Sequence, residues 1–212
     1  MDTTLTPLRI PLATHTTSID TTVAALTTNG YLAEVCETKE DALAKIKEHI
    51  PQSASVMNGA SQTLQEIGFV DYLKSGTHGW HNLHASVLAE KDPAKQAALR
   101  KQSVISDFYL GSVHALTETG EMVIASNSGS QLPHLAFTSP NIILVVGEQK
   151  IVPTLSDALE RVAEHVIPLE DERMKGAYGF GTLWAKTLIM HKENPAIGRK
   201  VRVLIVKEPL GF

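Results

Sequence analysis

Three stretches of this 212-residue chain carry residue types that can do chemistry, and each lies beside a short apolar run. In the first, Ser55-Val56-Met57-Asn58 leads into Gly59-Ala60-Ser61-Gln62-Thr63. A buried strand that enters a small-residue turn and then a helix leaves backbone N–H groups free at the helix start, where an anion is favoured. Asn58, Gly59, Ser61 and Thr63 are therefore ligand-binding candidates. The same residues also read as a plain tight turn in which Ser61 is an N-cap. The Gly and Lys spacing fits neither the dinucleotide fingerprint nor the phosphate loop of nucleotide hydrolases. The second stretch is Thr117-Glu118-Thr119-Gly120, followed by the loop that holds Ser128-Gly129. Glu118 offers a carboxylate for base or nucleophilic catalysis. Thr119, Gly120, Ser128 and Gly129 offer another anion nest, although Thr-Glu-Thr-Gly is equally the sequence of a hairpin turn. Third comes Lys150, just past the apolar run Asn141–Val146, as an electrostatic partner for a ligand or a merely solvated lysine.

Ordered strands and helices must bring these together. Ser18 caps a helix bearing Ile19, Val23 and Leu26, which Asn29-Gly30 ends. A strand follows over Tyr31–Cys36, and Thr38 with Asp41 forms a capping box for the next helix. Ser55–Met57 is a strand, Gln62–Lys74 a helix, and Asp92-Pro93 opens a helix over 94–104. Asp107–Leu110, Glu121–Ala125 and Asn141–Val146 read as buried strands, and Leu155–Val166 as a helix. Ala185–Met190 and Val201–Val206 form a late strand pair. Strands alternating with helices predict an α/β fold, a mostly parallel sheet with helices on both faces. Strand ends in such a sheet share an edge, so Ser61, Glu118, Ser128 and Lys150 are expected to meet there. Residues 1–17 read as an extended arm and 18–212 as one domain.

Other features narrow the function. A formal net charge of −4 gives no reason to expect nucleic acid. There is no apolar run of membrane-span length and no basic, apolar leader near Met1, so a cytoplasmic location is expected, without membrane. Cys36 is the only cysteine, which excludes an intrachain disulfide and a thiolate-held cluster, and it reads as an inert core thiol. His78, His81 and His84 lack interleaved acids and read as surface residues rather than metal ligands. His114 and His134 read as packing or turn residues. Neither a cofactor nor a metal is expected, and nothing in the sequence opposes a homo-oligomer.

In combination these segments resemble the LUD (lactate utilisation) domain family. The resemblance rests on Ser55–Leu73, with its Gly-x-Ser-x-Thr turn and Glu66-Ile67-Gly68, and on Asp107–Val152, with Ala115–Glu121, Ser128-Gly129 and Val145–Val152. It extends to Val206–Phe212 and covers the chain from about Ala42 onward. It implies a NagB/RpiA/CoA-transferase-like fold and a link to bacterial lactate utilisation, where such proteins accompany iron–sulfur subunits. Relatives carry a Cys-rich stretch late in the chain, whereas Asp171–Thr187 holds no cysteine. The resulting expectation is an accessory protein of lactate or organic-acid utilisation that binds a small anionic metabolite. The rivals are an acyl- or phosphosugar-handling enzyme, with Glu118 or Glu66 as its carboxylate and Lys150 beside it, and a non-catalytic assembly subunit.

Overall fold

The computed structural model describes residues 19–212, so the expected N-terminal arm and the Ser18 cap lie outside the described residues. In chain order come α1 (Ile19–Thr28), β1 (Leu32–Cys36), α2 (Lys39–His49), β2 (Ser55–Asn58), α3 (Gln62–Glu66), α4 (Phe69–Ser75) and β3 (His81–Asn82). There follow α5 (Leu83–Ala89), α6 (Pro93–Gln102), β4 (Phe108–Gly111), β5 (Ala115–Thr117) and β6 (Met122–Ser126). The chain continues with β7 (Asn141–Gly147), β8 (Ile151–Val152), α7 (Leu155–Arg161), α8 (Ile167–Tyr178), β9 (Lys186–Met190) and β10 (Lys200–Val206).

Six strands form a parallel sheet in the order β1-β10-β7-β4-β2-β3. Its central strands are apolar throughout because both faces are buried. Ile143, Val145, Leu204 and Val206 pack under α2, α3 and α4 with Ile46, Leu64, Phe69 and Leu73. Ile142, Leu144, Val203 and Ile205 point the other way, toward Leu26 of α1 and Met122 and Ile124 of β6. That second face meets α1 and a smaller sheet, ordered β8-β5-β6-β9, which carries α7 on its outer side through Ala158, with Val162 just beyond the helix.

Three expectations change. The late runs do not pair: β10 lies between β1 and β7, whereas β9 pairs antiparallel with β6 in the small sheet. The reason is burial. β10 is apolar on both faces and suits a sheet centre, whereas β9 is exposed over its first residues and suits an edge. The helix expected over 62–74 breaks at Gly68, which takes φ +77, into pieces of five and seven residues. The helix begun at Leu155 runs on to Tyr178 through a π-helical turn at Val162–Val166. This turn directly precedes Pro168, which has no N–H to return to the preceding turn.

Thr38 and Asp41 do form the capping box, with Thr38 N donating to Asp41 Oδ2 at 3.0 Å and Asp41 N to Thr38 Oγ1 at 3.2 Å. Cys36 is buried, and loss of solvent pushes its thiol up to about 11. No described helix is long and apolar enough to cross a membrane.

Candidate functional site

Because β2, β4, β7 and β10 run parallel, their carboxyl ends open on one side. There a cavity of about 450 Å³ lies between the parallel sheet and the end of β6. Its walls come from the turn after β2, the loop between β4 and β5, the loop after β6, Lys150 and α8.

Lys150 ends the short 3-10 turn that follows β7 and is 3% exposed. Its Nζ donates to Thr63 Oγ1 at 2.9 Å, Ser112 Oγ at 3.1 Å and the Val113 carbonyl at 3.3 Å. All three acceptors are neutral, and no described carboxylate lies within ion-pair distance. Burial, reinforced by Arg161 and opposed by the more distant Glu66, pulls the amine down to about 7.

Two further basic groups sharpen this imbalance. His114 lines the cavity, and its Nδ1 accepts the Ala125 N–H at 3.0 Å, so the ring proton sits on Nε2. Burial first, then Lys150 and Arg161, hold the ring down to about 3, which makes it a neutral donor. Arg161 of α7, itself buried, donates through Nη1 to the His114 carbonyl at 2.6 Å, while its Nε and Nη2 have no hydrogen-bond partner among the described residues. Burial lowers Arg161 to about 10, so it stays charged.

Asn58, Gly59, Ser61 and Thr63 all line the cavity. Asn58 is held by His84, whose Nδ1 donates to its carbonyl at 3.1 Å. Gly59 is required by crowding, since a side-chain carbon there would lie 2.7 Å from the Tyr109 hydroxyl. Ser61 caps α3 by accepting Leu64 N at 3.2 Å. With only five residues, α3 has a weaker dipole than the expected long helix, so the cationic wall rather than a helix terminus supplies the positive field. Ser128 also borders the cavity; Gly129 does not, but its N–H donates to Ser126 Oγ at 2.8 Å and shapes that loop. Ser61, Ser128 and Lys150 thus border one cavity.

Glu118, Thr119 and Gly120 do not. β5 leaves the cavity at His114 and β6 returns to it at Ser126, so the hairpin tip lies at the far end of both strands. There Glu118 N donates to the Val152 carbonyl at 2.9 Å, and the Thr119 carbonyl accepts from Asn29 Nδ2 at 2.9 Å. Gly120 takes φ +89 hard against Leu26 and Asn29. This is the plain hairpin turn, packed on α1. Glu66, the other carboxylate considered, is exposed and accepts the Gly211 N–H at 2.7 Å. The carboxylate on the cavity wall is instead Glu170, paired with Arg173 by two 2.7 Å bonds.

His78, expected at the surface, is buried: it stacks on Trp80 with ring centroids 5.0 Å apart and donates to the Leu73 carbonyl. His134 is a packing residue, stacked on Tyr109 at 4.4 Å. The sequence does not single out the cavity-wall residues Ser112, His114, Glu170 and Arg173, nor Arg161 behind them. Their one sequence signal is a histidine and a serine interrupting the apolar run between Tyr109 and Leu116.

A six-stranded parallel sheet flanked by helices, with a polar cavity at its carboxyl edge, defines the class as α/β. The model of the LUD domain matches residues 19–183, and the chain belongs to that family. The fold is similar to that in the crystal structure of a DUF162 family protein from Deinococcus radiodurans, with TM-score 0.55 and 13% identity over 88% of this chain and 94% of that one. No curated protein matches the chain. Membership in the LUD family supports a lactate-utilisation-related protein.

Proposed function

We propose that this chain binds a small anionic metabolite in the cavity at the carboxyl edge of the sheet, as an accessory of lactate or related organic-acid utilisation. Lys150 carries the reading: a buried amine at the cavity, hydrogen bonded only to neutral oxygens, with no described carboxylate to neutralise it. An uncompensated buried cation costs several kcal/mol, a cost that a ligand carboxylate or phosphate offsets. Arg161 adds charge nearby, and His114 adds a neutral N–H. The volume lies within the ~300–1,000 Å³ range of ligand pockets, more than a three-carbon acid alone would fill. The family's link to lactate utilisation supports a place beside iron–sulfur partner subunits. The carboxylate-enzyme alternative with Glu118 loses its support, because Glu118 lies at the far hairpin.

Thermal unfolding in a panel of anions tests the reading. A ligand at about 100 times its Kd stabilises by ~2.7 kcal/mol. Carboxylates or phosphates should raise Tm, neutral alcohols of the same size should not, and Lys150→Met should abolish the response. An unmoved Tm across the panel, or an equal rise in the variant, contradicts it.

A further inference from the structure

We infer that Lys150 is a nucleophile, forming an imine with the carbonyl carbon of a 2-oxo acid bound in this cavity. The inference rests on the preceding reading that the cavity is the ligand site, and adds covalent capture to it.

The surroundings of Nζ carry it. A structural lysine normally extends its ammonium to water or pairs it with a carboxylate. Lys150 does neither, and Nζ ends among Thr63, Ser112 and the Val113 carbonyl on the cavity wall. Thr63 Oγ1 donates its own proton to the Leu210 carbonyl at 3.3 Å, and Ser112 Oγ donates to the Val113 carbonyl at 3.3 Å. Both hydroxyls therefore accept from an ammonium as they stand. Either can rotate and donate to a neutral amine, so the same shell serves both protonation states. Burial brings the amine to about 7, and a large share is neutral at physiological pH. Desolvation of this kind is how lysines are activated for attack on carbonyls.

The substrate class follows from charge. A carbonyl is needed for attack, and a carboxylate beside it answers the positive charge of Arg161, which persists when Lys150 is neutral. The Nε2–H of His114 is a neutral donor available to the carbonyl oxygen. In the step, the Nζ lone pair forms the C–N bond while the carbonyl π pair moves onto oxygen. A proton shed by Nζ reaches that oxygen through the Ser112 or Thr63 hydroxyl, giving a carbinolamine. A second proton, taken from solvent through the same hydroxyls, lets the oxygen leave as water with the C–O pair. The nitrogen lone pair closes the C=N bond of an iminium, which returns its N–H proton to solvent to give the imine. No oxidant or reductant enters, and hydrolysis reverses the step.

The test incubates the full chain with pyruvate, 2-oxoglutarate or phenylpyruvate in the presence of cyanoborohydride, which reduces an imine to a stable amine. Intact mass and peptide mapping then locate the product. Saturation-transfer NMR without reductant measures binding of the same acids. The expected result is one reduced adduct per chain, on Lys150, absent with lactate and lost in Lys150→Arg. Mapping the wild-type chain keeps the test decisive even where the variant folds poorly, which far-UV circular dichroism reports. Adducts scattered over exposed lysines, or none at all, overturn the imine. If the acids still bind in that case, the anion-site reading stands alone; if they neither bind nor react, both fall.

Discussion

Two charge clusters in this molecule are built in opposite ways. At β1, the Glu34 carboxylate accepts from Lys45 Nζ at 2.6 Å and lies 3.1 Å from His49 Nε2, and Arg202 also pairs with it. Each basic side chain there reaches one shared carboxylate, so the set holds its own anion and is closed. At the cavity, Lys150 donates only to neutral oxygens, and Arg161, behind the cavity wall, donates to the carbonyl of the neutral His114. That set is open, since no described carboxylate pairs with Lys150 or Arg161. Both clusters are rich in basic side chains and both border a cavity; only the open one has no carboxylate paired to it, and that difference marks the proposed binding site.

The largest effect expected is on binding. Lys150→Met should weaken a bound carboxylate by about 2–4 kcal/mol, roughly thirtyfold or more, whereas Glu34→Gln should leave it unchanged in calorimetric titration. Equal losses in both variants would erase the distinction.

Next is ligand-free stability, where the open cluster should behave as a cost. Lys150 has a folded value near 7, below its ordinary value of 10.5. Between these the unfolded chain holds more protons, so wild-type stability should rise with pH from about 7 toward 10. Lys150→Met should be more stable than wild type at pH 6, on the order of 1–3 kcal/mol, and should lack that rise in urea unfolding. A variant less stable at pH 6 would show Lys150 to be a net support.

The closed cluster should do the reverse. Burial pushes Glu34 up, but Lys45, Arg202 and His49 outweigh it and hold the carboxyl below its ordinary value. Its contribution is present above the ordinary carboxylate range and is lost as pH falls through the lowered value. Glu34→Gln should cost about 1 kcal/mol at pH 7, kept small by solvent screening, and the gap to wild type should close in acid. The smallest effect belongs to Glu118→Gln at the hairpin tip, which should shift stability by under ~0.5 kcal/mol and leave binding untouched.

The site was legible in the sequence where strand direction was. Asn58 ends one strand of the parallel sheet and Lys150 follows another, so reading those strands placed both at one edge. Glu118 misled because its turn joins antiparallel strands, and hairpin tips alternate ends while parallel crossovers do not. The small sheet as a whole was hidden for a related reason. Its strands β5 and β8 have three and two residues, too short for an alternation to declare itself. Arg161 could not be found at all, because its position on α7 looks like any polar helix position until β5 packs against that helix.

Titration of Lys150 itself decides whether this buried amine takes an anion. NMR of 13Cε-labelled lysines should show one resonance titrating near 7, absent in Lys150→Met. Saturating lactate or inorganic phosphate should move that titration upward, because a bound anion favours the ammonium. Lysines that all titrate near their ordinary ~10.4, or a low-titrating Lys150 that no anion shifts, would contradict the account.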